Sequence, residues 1–183
     1  MAQTRKLGDS VARRALDRLG AADNPREPVR SGTAPGVAGV FADVDSAVRA
    51  AAAAHAELMR MTLAKREEMV AAIRRVMLAN AKALAADAHH ETGLGRYEDK
   101  IEKNLRVTNR TPGTEDLAPV ATSGDRGLML VEPAPFGVIG AITPVTNPTS
   151  TIICNTIGMV AAGNGVVFNA HPGPRMCRSA RSF

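Results

Sequence analysis

Two prolines four residues apart constrain this chain more than any other feature. In Thr143-Pro144-Val145-Thr146-Asn147-Pro148 they remove backbone N–H donors and fix φ, so neither a regular helix nor a central strand runs through. The run before it, Val138–Ile142, is short, apolar and rich in β-branched residues, the pattern of a strand. After it Ile152, Ile153, Ile157 and Val160 recur at helical spacing, with Thr149 or Ser150 as the expected N-cap and Gly163-Asn164-Gly165 as the stop. Val166-Val167-Phe168 then reads as a second strand. Strand, loop, helix and strand form a βαβ unit. Its strands are expected to be parallel, with a right-handed crossover, and the proline-bracketed loop then lies at the carboxyl end of the sheet, where open α/β folds bind ligands.

Upstream the periodicity is helical. Asp43 is a good N-cap for an alanine-rich helix from Val44 to about Met59, with Val44, Ala47, Val48 and Ala51 on one face. Thr62 caps the next helix, whose expected buried stripe is Val70, Ile73, Met77 and Leu84, while Lys65, Arg66, Glu67, Arg74 and Arg75 stay wet. Gly93 and Gly95 mark its end. Residues 96–111 are polar and helical, 112–126 hold breakers such as Pro112, Gly113, Pro119 and Gly124, and Leu128–Val131 reads as a strand. Residues 7–20 carry Val11, Ala12, Ala15, Leu16 and Leu19 at helical spacing, and the stretch between Gly20 and Gly39 is a Pro/Gly-rich linker.

Composition narrows the partners. A chain of 183 residues with 45% apolar and 22% charged residues is of ordinary globular make-up, and no apolar run reaches the roughly 18 residues a membrane span needs. The basic start, Met1-Ala2-Gln3-Thr4-Arg5-Lys6, lacks the apolar region of a secretory signal, so a cytoplasmic protein with no membrane partner is expected. A net charge of +5 raises nucleic acid as a partner, but aromatic residues are only 3% and no basic run is interleaved with stacking side chains. No nucleic-acid partner is expected. His89-His90-Glu91 offers no metal site, because adjacent helical residues point about 100° apart. Gly93-x-Gly95 lacks the third glycine of a dinucleotide fingerprint and follows a helix rather than a strand.

The stretch from Glu132-Pro133-Ala134-Pro135-Phe136-Gly137 through Val138–Ile142 and Thr143–Thr149 to Ile153-Cys154-Asn155, Ala161-Ala162-Gly163-Asn164 and Val166-Val167-Phe168 resembles the aldehyde dehydrogenase superfamily. Its Pro-x-Thr-Asn-Pro-Thr loop looks like that of the CoA-acylating branch, where ordinary members have Pro-Trp-Asn-Phe-Pro. Together with the helical run and Glu91-Thr92-Gly93, the resemblance covers roughly 37–173. It implies an α/β fold in which N-terminal helices lead into a partial Rossmann-like parallel sheet. It implies NAD as cofactor, coenzyme A as co-substrate, and a small aldehyde such as acetaldehyde or propionaldehyde as substrate. By the resemblance Asn147 donates to the oxyanion, while Ile142, Thr143, Pro144, Val145 and Thr146 line the nicotinamide and ribose side. Most non-acylating members carry a lysine after the second strand, and this sequence has Asn169-Ala170-His171-Pro172 instead. Asn169 and His171 are therefore the cofactor-side candidates there, with a solvated loop histidine as the alternative for His171.

The resemblance also implies that the family's nucleophilic cysteine, its carboxylate base and its oligomerisation strand lie beyond position 183, so that homo-oligomers are expected of the full-length form only. Cys154 sits on the apolar side of a helix, where a small buried thiol is the ordinary explanation, and neither it nor Cys177 is expected to be the nucleophile. Residues 174–183 are Arg/Ser-rich with no acid, and a frameshift or premature end is the expectation they raise. The expected organisation is a helix at 1–20, a linker at 21–39, a partial NAD-binding domain at 40–173 and an aberrant tail at 174–183. An amphipathic amino-terminal helix on such a linker looks like the tags that direct some acylating members to a bacterial microcompartment shell or partner helix; a helix docked on its own domain is the alternative. A non-catalytic remnant that associates with full-length subunits or a shell is the second functional reading.

Overall fold

The computed structural model describes residues 39–170. The helix expected at 7–20, most of the linker, His171, Cys177 and the stretch 174–183 lie outside the described residues. Helix α1, Val44–Leu58, starts where Asp43 provides an acceptor: its carboxylate takes the Ser46 N–H at 2.7 Å and the Ser46 hydroxyl at 2.7 Å. These two bonds hold the Asp43 carboxyl below the usual carboxylate value. Helix α2, Leu63–Thr92, begins with Thr62 accepting from the Lys65 N–H and ends at Gly93, whose φ of 64° is a left-handed cap that a Cβ would disfavour. At 30 residues it is about 45 Å long and forms the backbone of the domain. Helix α3 is Tyr97–Arg110, followed by a short 3-10 turn at Thr114–Leu117.

Two separate sheets follow. Strands β1, Val120–Gly124, and β2, Gly127–Val131, pair antiparallel as a hairpin with every residue exposed. Strand β1 falls in the segment where only chain breakers were expected. Strands β3, Val138–Thr143, and β4, Gly165–Ala170, are parallel neighbours in register Val138↔Gly165 to Thr143↔Ala170. Helix α4, Pro148–Ala161, joins them, as the βαβ pattern required. The α/β class is thus the observed one, with helices first and the parallel pair last.

The core lies where α2 and α4 meet: Val70 and Met77 pack with Ile153, Ile157 and Ala161, flanked by Ile73, Leu84, Val107 and Val160. Each fully buried aliphatic side chain here contributes about 1.5–3 kcal/mol over its exposed state. Farther along α2, Ala81, Ala85 and Ala88 are buried, and their small side chains leave room for α3 alongside. Helix α1 packs on β4 and β3 instead of on the core. Only Ala47 and Leu58 of α1 are buried; Val44, 72% exposed, and Val48 lie off the contact, so its expected apolar face is only partly used. The approach is close because position 165 is glycine: a Cβ there would stand 3.1 Å from the Ala51 carbonyl oxygen.

Two of the five side chains expected to be wet on α2 are not. Arg66 is half-buried and donates to the Ala161 carbonyl oxygen at 3.2 Å, at the C-terminus of α4. Arg74 donates to the carbonyls of Thr108 at 2.6 Å and Thr111 at 2.7 Å, at the C-terminus of α3, and reaches Glu115 at 3.5 Å. A helix C-terminus leaves carbonyls without intrahelical donors and carries partial negative charge, so an arginine fork answers both needs. Lys65, Glu67 and Arg75 are exposed. Arg74→Met is therefore expected to destabilise the domain by about 1.5–3 kcal/mol, since charge-assisted bonds to two carbonyls are lost, whereas Arg75→Met should stay within about 0.5 kcal/mol. Urea unfolding of the two variants checks this, and equal midpoints would contradict the capping role.

Candidate active site

The loop between β3 and α4 is the only place where the parallel pair, a helix start and a cluster of polar side chains converge among the described residues. Alternation along β3 buries Ala141 and Thr143 and turns Ile142 outward, 80% exposed. Thr143, 1% exposed, directs its hydroxyl to the Asn169 carbonyl oxygen at 3.5 Å, tying the ends of the two strands together. Ile142 and the exposed Asn169 are Cα partners across the pair. Pro144 and Thr146 are exposed, Val145 and Asn147 half-buried, and Pro148 buried. Ile142, Thr143, Pro144, Val145, Thr146, Asn147 and Asn169 thus share one edge of the structure, and His171 lies outside the described residues.

Asn147 takes the N-cap place of α4, with its own carbonyl oxygen accepting the Thr151 N–H at 3.1 Å. Neither Thr149 nor Ser150, the expected caps, has that place. Both lie inside the helix, because Pro148 with its fixed φ and absent N–H suits the first helical position. An N-cap asparagine ordinarily spends its side-chain oxygen on the first-turn N–H groups. Here the Asn147 side chain makes no cap bond. Its Oδ1 accepts from Lys103 Nζ at 2.6 Å, and its Nδ2 faces the Thr146 hydroxyl at 3.4 Å.

Helix α3 supplies the rest of the site. Lys100, 8% exposed, donates to the Thr146 carbonyl oxygen at 3.4 Å. Asn104, 1% exposed, donates to the Ala81 carbonyl oxygen of α2 at 3.2 Å and accepts from the Thr149 hydroxyl of α4 at 3.0 Å. Thr108, one turn on, returns its hydroxyl to the Asn104 carbonyl oxygen at 2.7 Å. Lys100, Asn104 and Thr108 are spaced i, i+4, i+8, and Lys103 stands beside them on the same side. From the sequence, 96–111 is expected to be polar and helical, which the helix at Tyr97–Arg110 matches, but its buried polar residues are not singled out. A buried polar stripe at that spacing is a signal that could have found them, but the partners of the stripe lie 23, 45 and 46 positions away.

Ile142, Pro144, Thr146 and Asn169 are exposed along this edge. Hollows on the outer face of α2, lined by Lys65, Glu68 and Met69, and along the β1–β2 hairpin lie apart from it. No group of three or more His, Cys, Asp or Glu among the described residues is arranged to hold a metal ion. Cys154 is a free, half-buried thiol on α4. Seven residues separate it from Asn147, roughly 10 Å along the helix axis, and it lies next to the buried Ile153.

The model of the aldehyde dehydrogenase family matches residues 31–178, a span that includes this parallel βαβ unit and its strand-to-helix loop. The chain belongs to that family. Over 142 residues it is 54% identical to the acetaldehyde dehydrogenase (acetylating) of Bilophila wadsworthia, a match that covers 78% of this chain and 29% of that protein. It is 44% identical over 137 residues to the propanal dehydrogenase (CoA-propanoylating) of Citrobacter freundii, covering 75% of this chain and 30% of that one. Among solved structures, the propionaldehyde dehydrogenase from the Clostridium phytofermentans fucose utilisation bacterial microcompartment superposes with a TM-score of 0.71 at 54% identity, over 74% of this chain and 31% of that chain. The Rhodopseudomonas palustris propionaldehyde dehydrogenase with bound propionyl-CoA superposes with a TM-score of 0.73 at 51% identity, over 76% of this chain and 31% of that chain. The chain therefore spans about a third of the length of these relatives. The family match begins before and ends beyond the 37–173 that the motifs alone delimit.

Proposed function

We propose that residues 142–147 with Asn169 are the cofactor and oxyanion side of a CoA-acylating aldehyde dehydrogenase site, which converts a short aldehyde, coenzyme A and NAD to acyl-CoA and NADH. The observation that carries this is the side chain of Asn147. It stands at the N-cap of α4 yet makes no cap bond: its oxygen accepts from Lys103, one N–H is directed at the Thr146 hydroxyl, and the second N–H is left to a ligand. When bound, NAD supplies the acceptor for the electron pair the aldehyde loses. Ile142 fits such a group, since it exposes an apolar surface at the carboxyl edge with the Asn169 side chain beside it. His171 is the further residue proposed to approach the nucleotide or coenzyme A.

Asn147 acts on the other reactant. Addition of a thiolate to an aldehyde, and later of coenzyme A to a thioester, places negative charge on one carbonyl oxygen, and a fixed amide donor lowers both barriers. Acetaldehyde and propionaldehyde are the substrates proposed, because the similar proteins are named for them. Cys154 is not proposed as the thiolate, since it is half-buried beside Ile153 on the apolar side of α4, where a small thiol packs, and the 183-residue chain alone is proposed to be inactive.

Accordingly, the 183-residue chain should give no aldehyde-dependent NADH formation, and turnover abolished by Cys154→Ser would contradict that. In a hybrid joining residues 1–170 to the remaining length of the Bilophila wadsworthia relative, Asn147→Ala should lower kcat by about 10²–10³ with KM little changed. A kcat within about threefold of the parent would remove Asn147 from the catalytic list. A microcompartment location is proposed as well, resting on the amphipathic spacing at 7–20 and on the source of the Clostridium phytofermentans relative. Residues 1–20 fused to a fluorescent protein should then co-localise with microcompartments in a host that makes them, and diffuse fluorescence would refute the tag.

A further inference from the structure

We infer that, with Asn147 as the oxyanion donor proposed above, Lys103 is the positioning residue that holds the Asn147 amide oxygen off its own helix, so that the NH₂ end, with one N–H directed at the Thr146 hydroxyl, offers the other to a ligand. The chemistry of the pair fixes the orientation. An ammonium has three donors and no acceptor, so the group 2.6 Å from Lys103 Nζ must be the amide oxygen, and the NH₂ end must face away. Without Lys103, donors closer in the chain compete for that oxygen. The N–H groups of Thr149 and Ser150 are the customary partners of an N-cap side chain, and turning Oδ1 onto them carries Nδ2 away from its present direction.

The lysine is also held at the right place. It sits three residues after Lys100 and immediately before Asn104, which bond to Thr146 and Thr149 on either side of Asn147. An exposed lysine contact is ordinarily worth little because the side chain is free to leave. Here the helix beneath it is fixed to the loop at Thr146 and to the first turn of α4 at Thr149, so Nζ needs only to complete the set. Two local preferences therefore oppose each other at Asn147, capping and presentation, and the cation decides for presentation.

A residue that only supports the fold would lose stability and activity together, whereas this geometry separates them. Lys103→Met should leave the thermal midpoint of the 183-residue chain unchanged or higher, because the N-cap bond forms. In ¹⁵N spectra of the same chain, the Asn147 side-chain amide pair, assigned through Asn147→Asp, and the Ser150 backbone amide should both shift. Lys103→Arg, which keeps a cationic donor, should leave both near their parent positions. In the hybrid enzyme Lys103→Met should lower kcat roughly tenfold, less than deletion of the donor itself, with KM nearly constant and with Lys103→Arg restoring most of the rate. An unmoved amide pair, or a kcat within about threefold of the parent for Lys103→Met, overturns the inference even if Asn147→Ala is inactive. If Asn147→Ala keeps its rate, it is the oxyanion reading that fails, and the amide spectra still decide whether Lys103 orients Asn147.

Discussion

The structure depends on a buried amide. Asn104 lies between three helices with almost no access to water, and an unpaired amide there would cost about 1–3 kcal/mol for each group left without a partner. It bonds backbone on α2 through its nitrogen and a hydroxyl on α4 through its oxygen. One side chain thus sets the relative position of the long helix that carries the core and the short helix that opens the site. Apolar packing at Val70, Met77, Ile153 and Ile157 supplies stabilisation, but apolar contacts are non-directional and would tolerate a slide of α4 along α2. The amide would not.

Around that fixed point the polar residues of α3 form a graded series. Thr108 and Asn104 are buried and structural, Lys100 is buried at the Thr146 carbonyl, and Lys103 is exposed at Asn147. Arg74 closes the other end by binding the last carbonyls of α3. The helix is held at both ends and along its length, so the loop it faces inherits a defined shape despite lacking regular structure of its own. Catalytic donors require such pre-set geometry, since a dipole that has to reorient during reaction returns little of its electrostatic gain.

How much of this was legible in the sequence follows from the range of each interaction. The caps at Asp43, Thr62 and Gly93 and the βαβ order were readable because their partners lie within a few residues or one period of the chain. Arg66 and Arg74 were misjudged as solvated because their acceptors are carbonyls 95, 34 and 37 positions away, which no local pattern announces. Strand β1 was missed because Val120–Gly124 has few apolar residues and is ordered by backbone pairing to β2 rather than by burial. The cap of α4 was placed two residues late or more because hydroxyls at Thr149 and Ser150 outranked an asparagine followed by proline. Asn147 and its neighbours are candidates through family resemblance alone, whereas Lys100, Lys103 and Asn104 have no local signature beyond a polar stripe.

The central claim is that the Asn147 amide, oriented by α3, meets the oxygen on which charge develops. A crystal structure of the hybrid enzyme trapped as its acyl thioester measures this directly. The Asn147 nitrogen should lie about 2.7–3.1 Å from the thioester carbonyl oxygen, with the amide oxygen still on Lys103. An Asn147 amide folded onto the first turn of α4, with the thioester oxygen bound by other groups, would contradict it.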